Sequence, residues 1–359
     1  MNEETAKLGG TIRIRRILHF HFGKDGGAER FFVNLAQSFA GRGIEQSFVI
    51  RPRRIWKPEL APYGRIFEHK YRRVSLASKL LEWRMARYVD DWQPDVVMGW
   101  MPRGARLIGS WSRPFKLVRL GDFPIHIQHF QNCDVVLGNV PGIARRVEDL
   151  GWTGRTATIT NFAREVTPVP VDRARFDTPK DALLIAGAGR FVPRKGMDLL
   201  VRAMAEIPDA WLWLIGDGTE RASLEAQVES LGMANRTRFI GWVEEPVHYI
   251  AAANLFGMPS RHEPLGNSVL DAWRAGVPVV STRSEGPDWY MEHEKDGLLV
   301  NTDDLGAFRA GLQRLAADPV LAERLRAGGA AKLEGMFSPE RIIDQYLSLF
   351  AVGLDRAAP

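Results

Sequence analysis

Cysteine is almost absent from this chain, which has one, Cys133, among 359 residues. A single cysteine excludes an internal disulfide and is typical of proteins from a reducing compartment. Long apolar runs are also missing. The N-terminal segment is acidic, then polar, then basic, and it lacks the apolar core of a signal peptide. The longest uncharged run, 246–260, contains Pro, Asn and Gly and is too short to span a bilayer. We therefore expect a cytoplasmic protein.

The sequence also lacks the patterns that hold metal ions. Its histidines are scattered, no Cys/His cluster has ligand spacing, and no Asp-x-Asp motif stands near the end of a predicted strand. No repeat of solenoid period and no low-complexity segment is present. The composition, 45% hydrophobic and 25% charged, is that of a globular protein, and the length predicts two domains. We expect no metal and no other cofactor.

Charge is unevenly distributed along the chain. Residues 1–165 contain 27 Lys and Arg against 16 Asp and Glu, whereas the remainder contains 21 against 27. A basic first half indicates an anionic partner, such as a phosphorylated substrate or the inner face of an anionic membrane. The alternative is that an arginine-rich composition only confers solubility. We expect no nucleic-acid partner.

Short apolar runs alternate with helical stretches in two successive series. Runs such as DVVMGW and CDVVLGNV belong to the first series, over 1–165, and ALLIAGAG opens a second over 181–338. Such alternation predicts parallel sheets with helices on both faces. Residues 166–180 carry three prolines without periodicity, which predicts a linker, and 339–359 is a helix that could pack back on the first domain. The predicted fold class is α/β, with two Rossmann-like doubly wound domains facing a central cleft.

The stretch EPLGNSVLD, from Glu263 to Asp271, places an acid in a loop after a predicted strand and then opens a helix. The free N–H groups of a helix start favour a phosphate or a sugar hydroxyl. Gly266 allows a ligand close to the backbone, and Asn267 or Ser268 can cap the helix. Asp271 lies inside the helix, where a carboxylate can accept two hydrogen bonds from a ribose diol. The alternative is a surface ion pair with the arginine three residues further on.

A second stretch, GRFVPRKG, joins a predicted buried strand to a helix and carries Arg190 and Lys195. A guanidinium fork and a mobile ammonium beside one crevice suit a diphosphate, whose negative charge grows as a sugar departs. The alternative is a basic, solvated loop.

Four motifs taken in order, GRFVPRKG, LIGDG, RFIGWV and PSRHEPLGNSVLDAWRAGVPVVST, resemble the retaining glycosyltransferases of family 4. That family has the GT-B fold, which consists of two Rossmann domains. The match is close over most of 181–300 and weaker over 11–165, where GGAE is its main element. Because members of the family are metal-independent, the resemblance agrees with the missing ligand patterns.

The resemblance implies roles for individual residues. Arg190 and Lys195 match the residues that hold the donor diphosphate, and Glu263 matches the first acid of the Glu-x7-Glu motif, which contacts the donor sugar. We expect these three to be the catalytic residues. Asp271 stands where a second Glu normally binds the ribose, and the exchange shortens the side chain by a methylene. The loop around the sugar and the phosphate corresponds to Leu265, Gly266, Asn267 and Ser268.

The resemblance is incomplete in the first series. The family's N-terminal cleft histidine usually follows a strand corresponding to FKLVRL, but here Arg119, Leu120, Gly121 and Asp122 occupy that region. His126 comes a few residues later. Asp122 can face the cleft or cap the following turn, and we expect the cap.

Other candidates for the cleft come from the ends of further strands. Gly26 and Gly27, in the first strand–helix turn, would let a ligand come close, although a tight turn also explains two glycines. Asn139, which follows CDVVLG, is a similar candidate. His19 and His21 alternate on a strand and are expected to be packing residues.

These features predict an enzyme that transfers a sugar with retention at the anomeric carbon. The first domain is expected to hold a glycan or glycolipid acceptor and the second the nucleotide sugar, in lipopolysaccharide or other cell-envelope polysaccharide synthesis. No well-placed nucleophile stands out, so the resemblance implies front-face attack with the departing phosphate as base. The alternatives are a nucleotide-sugar epimerase or hydrolase on the same fold, a sugar phosphorylase, and a catalytically inactive nucleotide-sugar-binding protein.

Overall fold

The structure of the chain, a computed structural model, describes residues 14–23, 26–71, 75–163 and 165–357, with side chains up to 355. Lys24 and Asp25, which belong to the predicted glycine loop, lie outside the described residues. The chain divides into two compact units, one made of Met1–Asn161 with Pro339–Pro359 and the other of Phe162–Ser338.

The first unit contains a seven-stranded parallel sheet in the order β3-β2-β1-β4-β5-β6-β7. Strands β1 to β7 are Arg16–His21, Glu45–Ile50, Gly64–Glu68, Val96–Trp100, Phe115–Leu120, Val135–Gly138 and Arg155–Thr158. Helices α1 to α5 are Gly27–Gly41, Lys57–Leu60, Leu76–Trp92, Met101–Ala105 and Pro141–Asp149, and the C-terminal helix α13 is Pro339–Ala357. All five residues of β4 are buried. A parallel strand that is covered on both faces needs apolar residues throughout, and this explains the continuous apolar run in the sequence.

Helices α1 and α13 share part of the core of the first unit. The buried residues of α1 include Phe32, Leu35 and Phe39, whose spacing of three and four residues places them on one face. The rings of Tyr346 and Phe350 in α13 lie 5.8 Å from the ring of Phe39. The C-terminal helix therefore completes this core. No helix in the described ranges is long and apolar enough to cross a membrane.

The second unit contains a six-stranded parallel sheet in the order β10-β9-β8-β11-β12-β13. Strands β8 to β13 are Leu183–Ala188, Ala210–Ile215, Thr237–Gly241, Leu255–Met258, Val279–Thr282 and Leu298–Val300. Helices α6 to α12 are Met197–Ala205, Arg221–Ser230, Pro246–Ile250, Asn267–Arg274, Glu285–Tyr290, Leu305–Ala317 and Pro319–Met336. The core joins α6, α11 and α12 to the sheet through the fully buried Leu200, Leu212, Phe308 and Leu325.

Residues 166–180, predicted as a linker, belong to the second unit. The Arg173 guanidinium donates to the carbonyl oxygen of Ala252 and to Oδ1 of Asn254, both over 2.9 Å. The first unit ends at Asn161 and not at 165, and the N–H of Ala163 already donates to the carbonyl oxygen of Phe337 in the second unit. The boundary shifts because these hydrogen bonds join the proline-rich stretch to the second sheet.

The predicted fold class of two doubly wound α/β units is confirmed. Within each sheet every pair of neighbouring strands is parallel, and the strand order reverses between β1 and β4 and between β8 and β11. Sheets of this kind bind ligands outside the carboxyl ends of the strands, at the point of reversal. The functional side chains should therefore be sought after β1, β4, β8 and β11 and their neighbours.

Candidate active site

Two loops meet where the strand order of the second sheet reverses. They are 189–196, which follows β8, and 259–266, which follows β11. The N–H groups of Arg261 and His262 donate to the carbonyl oxygen of Arg194 over 2.9 and 3.2 Å. The two motifs identified in the sequence are therefore in direct contact.

Gly196 allows this close approach of the two loops. Its φ is +64°, and a Cβ at this position would lie 2.1 Å from the carbonyl oxygen of Pro259. Only glycine combines a left-handed backbone with so short a contact. The 3₁₀ turn Pro193–Lys195 comes directly before it, so Lys195 is placed beside the end of β11.

Lys195 and Glu263 form an ion pair, although 68 positions separate them in the sequence. Their side chains are only 19% and 10% exposed, so water screens the pair less than it screens a surface pair. Ser260 Oγ donates to the same Glu263 oxygen over 3.4 Å. Two of the three predicted catalytic residues are therefore in direct contact.

Arg190, the third predicted catalytic residue, lies in the same loop as Lys195 but is exposed. No carboxylate in the described part of the chain pairs with its guanidinium. The loop around it is anchored by its neighbour, since the N–H of Phe191 donates to the carbonyl oxygen of Asp217 over 2.9 Å. A Cβ at Gly218 would lie 2.3 Å from the carbonyl oxygen of Phe191, which explains the last glycine of LIGDG.

Arg261 fastens the two loops together, a role that the sequence did not reveal. Its guanidinium donates to both carboxylate oxygens of Asp198, over 2.8 and 2.7 Å, and to Asp303 over 2.7 Å. The hydrogen bond from Arg261 holds the pKa of Asp198 below its ordinary value despite partial burial. Asp198 lies in the first turn of α6, so the clamp fixes the position of Lys195 relative to Glu263.

Glu285 supports the backbone of Glu263 and was also missed. Its Oε2 accepts the N–H of Glu263 over 2.9 Å, and its Oε1 lies 2.5 Å from Nδ1 of His262. Burial raises the pKa of Glu285, but the hydrogen bonds from backbone N–H groups and His262 outweigh it and leave that pKa below its ordinary value. In the other direction, the N–H of Gly286 donates to the carbonyl oxygen of Glu263. An acid before a glycine at a strand end was the only feature in the sequence that could have indicated this support.

Helix α9 begins at Asn267, and its N-cap is Gly266, with φ +87° and no capping side chain. The expectation that Asn267 or Ser268 caps the helix is therefore wrong, because both lie inside the first turn, where Ser268 Oγ is 3.5 Å from the sulfur of Met258. Tyr290 Oη donates to the carbonyl oxygen of Gly266 over 3.5 Å. Burial, followed by the charge of Glu263, raises the pKa of Tyr290 well above its ordinary value, so its hydroxyl keeps its proton.

The remaining predicted residues of this motif lie on either side of the N-cap. Leu265 is 3% exposed, and its carbonyl oxygen would be 2.4 Å from a Cβ at Gly286. Asp271 is half-buried on α9, between Leu270 and Ala272, which are buried. The loop at Leu265 is thus tightly enclosed, and Asp271 lies about one turn further along the helix.

The candidates of the first unit occupy different environments. Gly26 is the exposed N-cap of α1 and Gly27 its first residue. Asp122 Oδ1 accepts the N–H of Phe123 over 2.9 Å, a local contact of the kind expected for a turn. Asn139 follows β6, is 3% exposed, and its Oδ1 has no hydrogen-bond partner within the described residues.

His19 and His21 are buried among aromatic rings, 1% exposed each. Trp100 Nε1 donates to Nδ1 of His19 over 3.3 Å, and the rings of His21 and Phe32 stack at 4.5 Å. Burial lowers the pKa of both histidines to about 3, so both imidazoles are neutral at physiological pH.

Arg119, in β5, is 2% exposed and was not among the predicted site residues. Arg119 pairs in register with Trp100 of the neighbouring strand β4. The strand order of the first sheet reverses between β4 and β1, so Arg119 lies one strand away from the reversal. Its Nε donates to Tyr346 Oη over 2.8 Å, and its Nη2 donates to Asn161 Oδ1. Burial raises the pKa of Tyr346, so this hydroxyl is a neutral partner.

Among the residues for which the structure gives positions, no three His, Cys, Asp or Glu side chains are grouped so as to hold a metal ion.

Comparison with known proteins agrees with the geometry. Residues 169–332 match the family described as Glycosyl transferases group 1. The lipopolysaccharide core biosynthesis glycosyltransferase LpsE of Rhizobium meliloti (strain 1021) is 45% identical over 336 residues, which cover 94% of this chain and 99% of that protein. LpsD of the same organism, also a lipopolysaccharide core biosynthesis glycosyltransferase, is 43% identical over 339 residues with the same coverage.

Among solved structures, HepE of Anabaena in complex with UDP-glucose superimposes on the chain with a TM-score of 0.80. The two chains are 19% identical, and the match covers 94% of this chain and 99% of that one. At this identity the likeness shows the fold. The family inferred from four short motifs is confirmed by the near full-length relatives: the chain belongs to the group 1 glycosyltransferases, which are the family 4 enzymes with the GT-B fold.

Proposed function

We propose that this chain transfers a sugar from a nucleoside diphosphate donor to a lipopolysaccharide core acceptor, with retention at the anomeric carbon. LpsE and LpsD, which match nearly the whole chain, are both lipopolysaccharide core biosynthesis glycosyltransferases. The observation that carries the proposal is the Lys195–Glu263 pair at the carboxyl edge of the second sheet. It holds a cation and an acid beside the start of a helix, where a charged leaving group and a sugar can both be bound.

The donor diphosphate would lie between Arg190, Lys195 and the start of α9. The exposed Arg190 guanidinium and the half-buried Lys195 ammonium supply positive charge, and the helix start adds partial positive charge. Negative charge accumulates on the diphosphate as the sugar departs. Groups already fixed in place therefore stabilise the transition state more than the ground state.

Glu263 and Asp271 would bind the other parts of the donor. The Glu263 carboxylate, held by Lys195 and Ser260, can accept hydrogen bonds from donor sugar hydroxyls. The half-buried Asp271 would accept both ribose hydroxyls. In the transfer itself the acceptor oxygen attacks the anomeric carbon from the face that the phosphate leaves, and the departing phosphate takes the acceptor proton.

We also propose that transfer needs no metal ion. In metal-dependent transferases a cation neutralises the diphosphate, and here Arg190 and Lys195 can supply that charge. The family resemblance supports the same conclusion.

The acceptor would be bound by the first unit, in contact with the inner face of an anionic membrane. Helix α3 supports this part of the proposal: Leu76, Leu80 and Trp83 are 88%, 47% and 55% exposed and are spaced by four and three residues along one face. Arg84 and Arg87 are exposed on the same helix, and the Arg87 guanidinium lies 5.1 Å from the Trp83 ring. Apolar side chains beside basic ones are typical of helices that lie on anionic lipid.

Turnover of donor by purified protein tests this function. The acceptor is truncated lipopolysaccharide core in vesicles, and the donors tested are uridine, guanosine and adenosine diphosphate sugars. We expect one of these donors to release its nucleoside diphosphate even in excess EDTA. The release should require acceptor, and the product should keep the donor's anomeric configuration. Anionic vesicles should support faster turnover than neutral ones at low salt, because surface charge is screened at high salt.

Each part of the proposal can fail separately in this experiment. Donor cleavage without acceptor would indicate a hydrolase, and inversion would contradict the front-face attack. Activity that EDTA abolishes and Mg²⁺ restores would contradict metal independence. Equal rates on anionic and neutral vesicles would remove the membrane contact, and no turnover with any donor would favour an inactive binding protein.

Asp271→Ala is expected to weaken binding of the bare nucleoside diphosphate by roughly 1–3 kcal/mol, the range for hydrogen bonds to charged groups. Asp271→Glu should retain most of the affinity, because it keeps the carboxylate. Glu263→Ala should instead impair sugar transfer more than nucleotide binding. Calorimetric titration of nucleotide into the three variants measures the difference, and an unaltered Kd for Asp271→Ala would remove this residue from the ribose site.

A further inference from the structure

The Arg119 guanidinium is a buried charge that forms no ion pair with any residue of the described ranges. Its side chain is 2% exposed, and its Cζ lies 4.4 Å from the ring centre of Phe31 and 5.3 Å from that of Trp100. Its two hydrogen-bond acceptors, Tyr346 and Asn161, are both neutral. No carboxylate in the residues that the structure describes forms an ion pair with it. A buried charge that lacks an opposite charge is costly, so such a group is usually compensated.

One arm of the guanidinium remains available. Nε and Nη2 are used by Tyr346 and Asn161, whereas Nη1 has no partner within the described part of the chain. It lies 3.7 Å from the position that a Cβ on Gly121 would occupy. The Met101 sulfur lies 3.9 Å from the same position, so the missing side chain of residue 121 leaves room for about one small group beside Nη1.

Asn139 borders the same space. Its Nδ2 lies 4.0 Å from that Cβ position, and its Oδ1 is buried without a partner. Arg119 pairs in register with Leu137, and Asn139, two residues further on, points to the same face of the sheet. Both polar groups therefore border one small space at the carboxyl edge of the first sheet.

We propose that this space, defined by Arg119, Gly121 and Asn139 and here named the Arg119 pocket, binds the acid group of the saccharide acceptor. Arg119 Nη1 donates to a carboxylate or phosphate oxygen, and Asn139 Oδ1 accepts a neighbouring sugar hydroxyl. The anion supplies the counter-charge that Arg119 lacks, and the hydroxyl supplies the donor that Asn139 lacks. This inference rests on the proposed function, because it assigns the acceptor to the first unit and makes it an acidic saccharide.

Asn139→Asp tests the pocket by supplying an internal counter-ion. The new carboxylate would pair with Arg119, so the folded state should be retained while the acceptor's acid group is excluded. We expect KM for the acidic acceptor to rise about ten- to a hundredfold, the effect of losing a charge-assisted hydrogen bond. The wild-type protein should prefer the acidic acceptor to one whose phosphates are removed or whose carboxylates are reduced, and the variant should lose that preference. The two treatments distinguish phosphate from carboxylate.

Gly121→Ala tests the open space itself. The closest contacts of its Cβ, 3.7, 3.9 and 4.0 Å, are ordinary ones, so we expect an unchanged unfolding midpoint and a similar loss of preference for the acidic acceptor. Gly41→Ala is the matched control, because a Cβ there meets nothing within 4 Å, and its kinetics should match the wild type.

Binding of probe molecules gives a result that does not depend on turnover. With nucleoside diphosphate present at saturation, glucuronate or inorganic phosphate should raise the unfolding midpoint of the wild type, glucose should not, and Asn139→Asp should not respond. If this response is found without turnover, the pocket stands and the proposed function fails. Turnover with equal KM values for acidic and neutral acceptors, in wild type and both variants alike, would overturn the pocket and leave the function intact.

Discussion

Replacement of Lys195 by alanine is expected to lower kcat/KM by about two orders of magnitude or more, with the fold retained. Loss of one donor to the charge that develops in a transition state typically costs about 10²–10³ in rate. Lys195 is held at the carboxyl edge of the second sheet by Gly196 and by its pair with Glu263. Arg190→Ala should lose a similar factor, because in the proposed site Arg190 supplies the second positive charge.

The two variants should differ in stability, and this difference tests the geometry. Lys195→Ala leaves Glu263, 7% exposed, without its cation, which should cost about 1–3 kcal/mol of unfolding free energy. Glu263→Gln in the same chain should recover part of that loss. Arg190 is exposed and pairs with no described carboxylate, so Arg190→Ala should change stability by no more than about 0.5 kcal/mol.

Steady-state kinetics and denaturant unfolding of each variant provide the two measurements. Lys180→Ala is the matched control, because Lys180 is exposed in the same unit and lies outside both motifs. Near-normal turnover by both Lys195→Ala and Arg190→Ala would end the assignment of the diphosphate to this loop. Equal stability of the two variants would contradict the buried ion pair.

Gly196→Ala is expected to reduce both stability and activity. A left-handed backbone costs a residue with a Cβ roughly 1–2 kcal/mol, and the Cβ would overlap the carbonyl oxygen of Pro259 at 2.1 Å. Steric overlap of this kind typically costs a further 1–3 kcal/mol or so. Relief of the overlap must move the two loops apart, so kcat/KM should fall at least about tenfold as Lys195 and Glu263 separate.

Gly232→Ala separates the two causes. Gly232 has φ +67°, nearly that of Gly196, but a Cβ there would meet nothing within 4 Å. It should therefore show only the backbone cost and normal kinetics. Urea unfolding and kinetic assay of both variants measure the difference, and equal losses would show that the close approach of the loops is not needed.

Local sequence patterns were sufficient to predict much of the fold and part of the site. Alternation of apolar runs with helical stretches predicted two parallel sheets, because burial on both faces requires continuous apolar strands. GRFVPRKG and EPLGNSVLD predicted Arg190, Lys195 and Glu263 as site residues, because each motif is a short strand–loop–helix unit. The prediction that Asn267 or Ser268 caps α9 was wrong, since the N-cap depends on the backbone angles of Gly266, which composition does not determine.

The supports of the site could not be predicted in the same way. Arg261 and Asp198 are 63 positions apart, and Glu263 and Glu285 are 22 apart. Each of these residues, read alone, is an ordinary charged residue in a loop or helix. Their partners are chosen by which loops meet at the edge of the sheet, and many other charged pairs would be equally compatible with the local sequence.

The sequence by itself determined the family, the two sheets and the two motifs whose loops meet at the edge of the second sheet, because these depend on short-range periodicity and on motifs within one strand–loop–helix unit. Only the tertiary structure decided that Lys195 contacts Glu263. It also decided that Arg119 donates to Tyr346, a neutral partner 227 positions away in the sequence. Side chains so far apart in the sequence come together through the packing of whole elements. That packing depends on the sum of many weak contacts, which no local pattern contains.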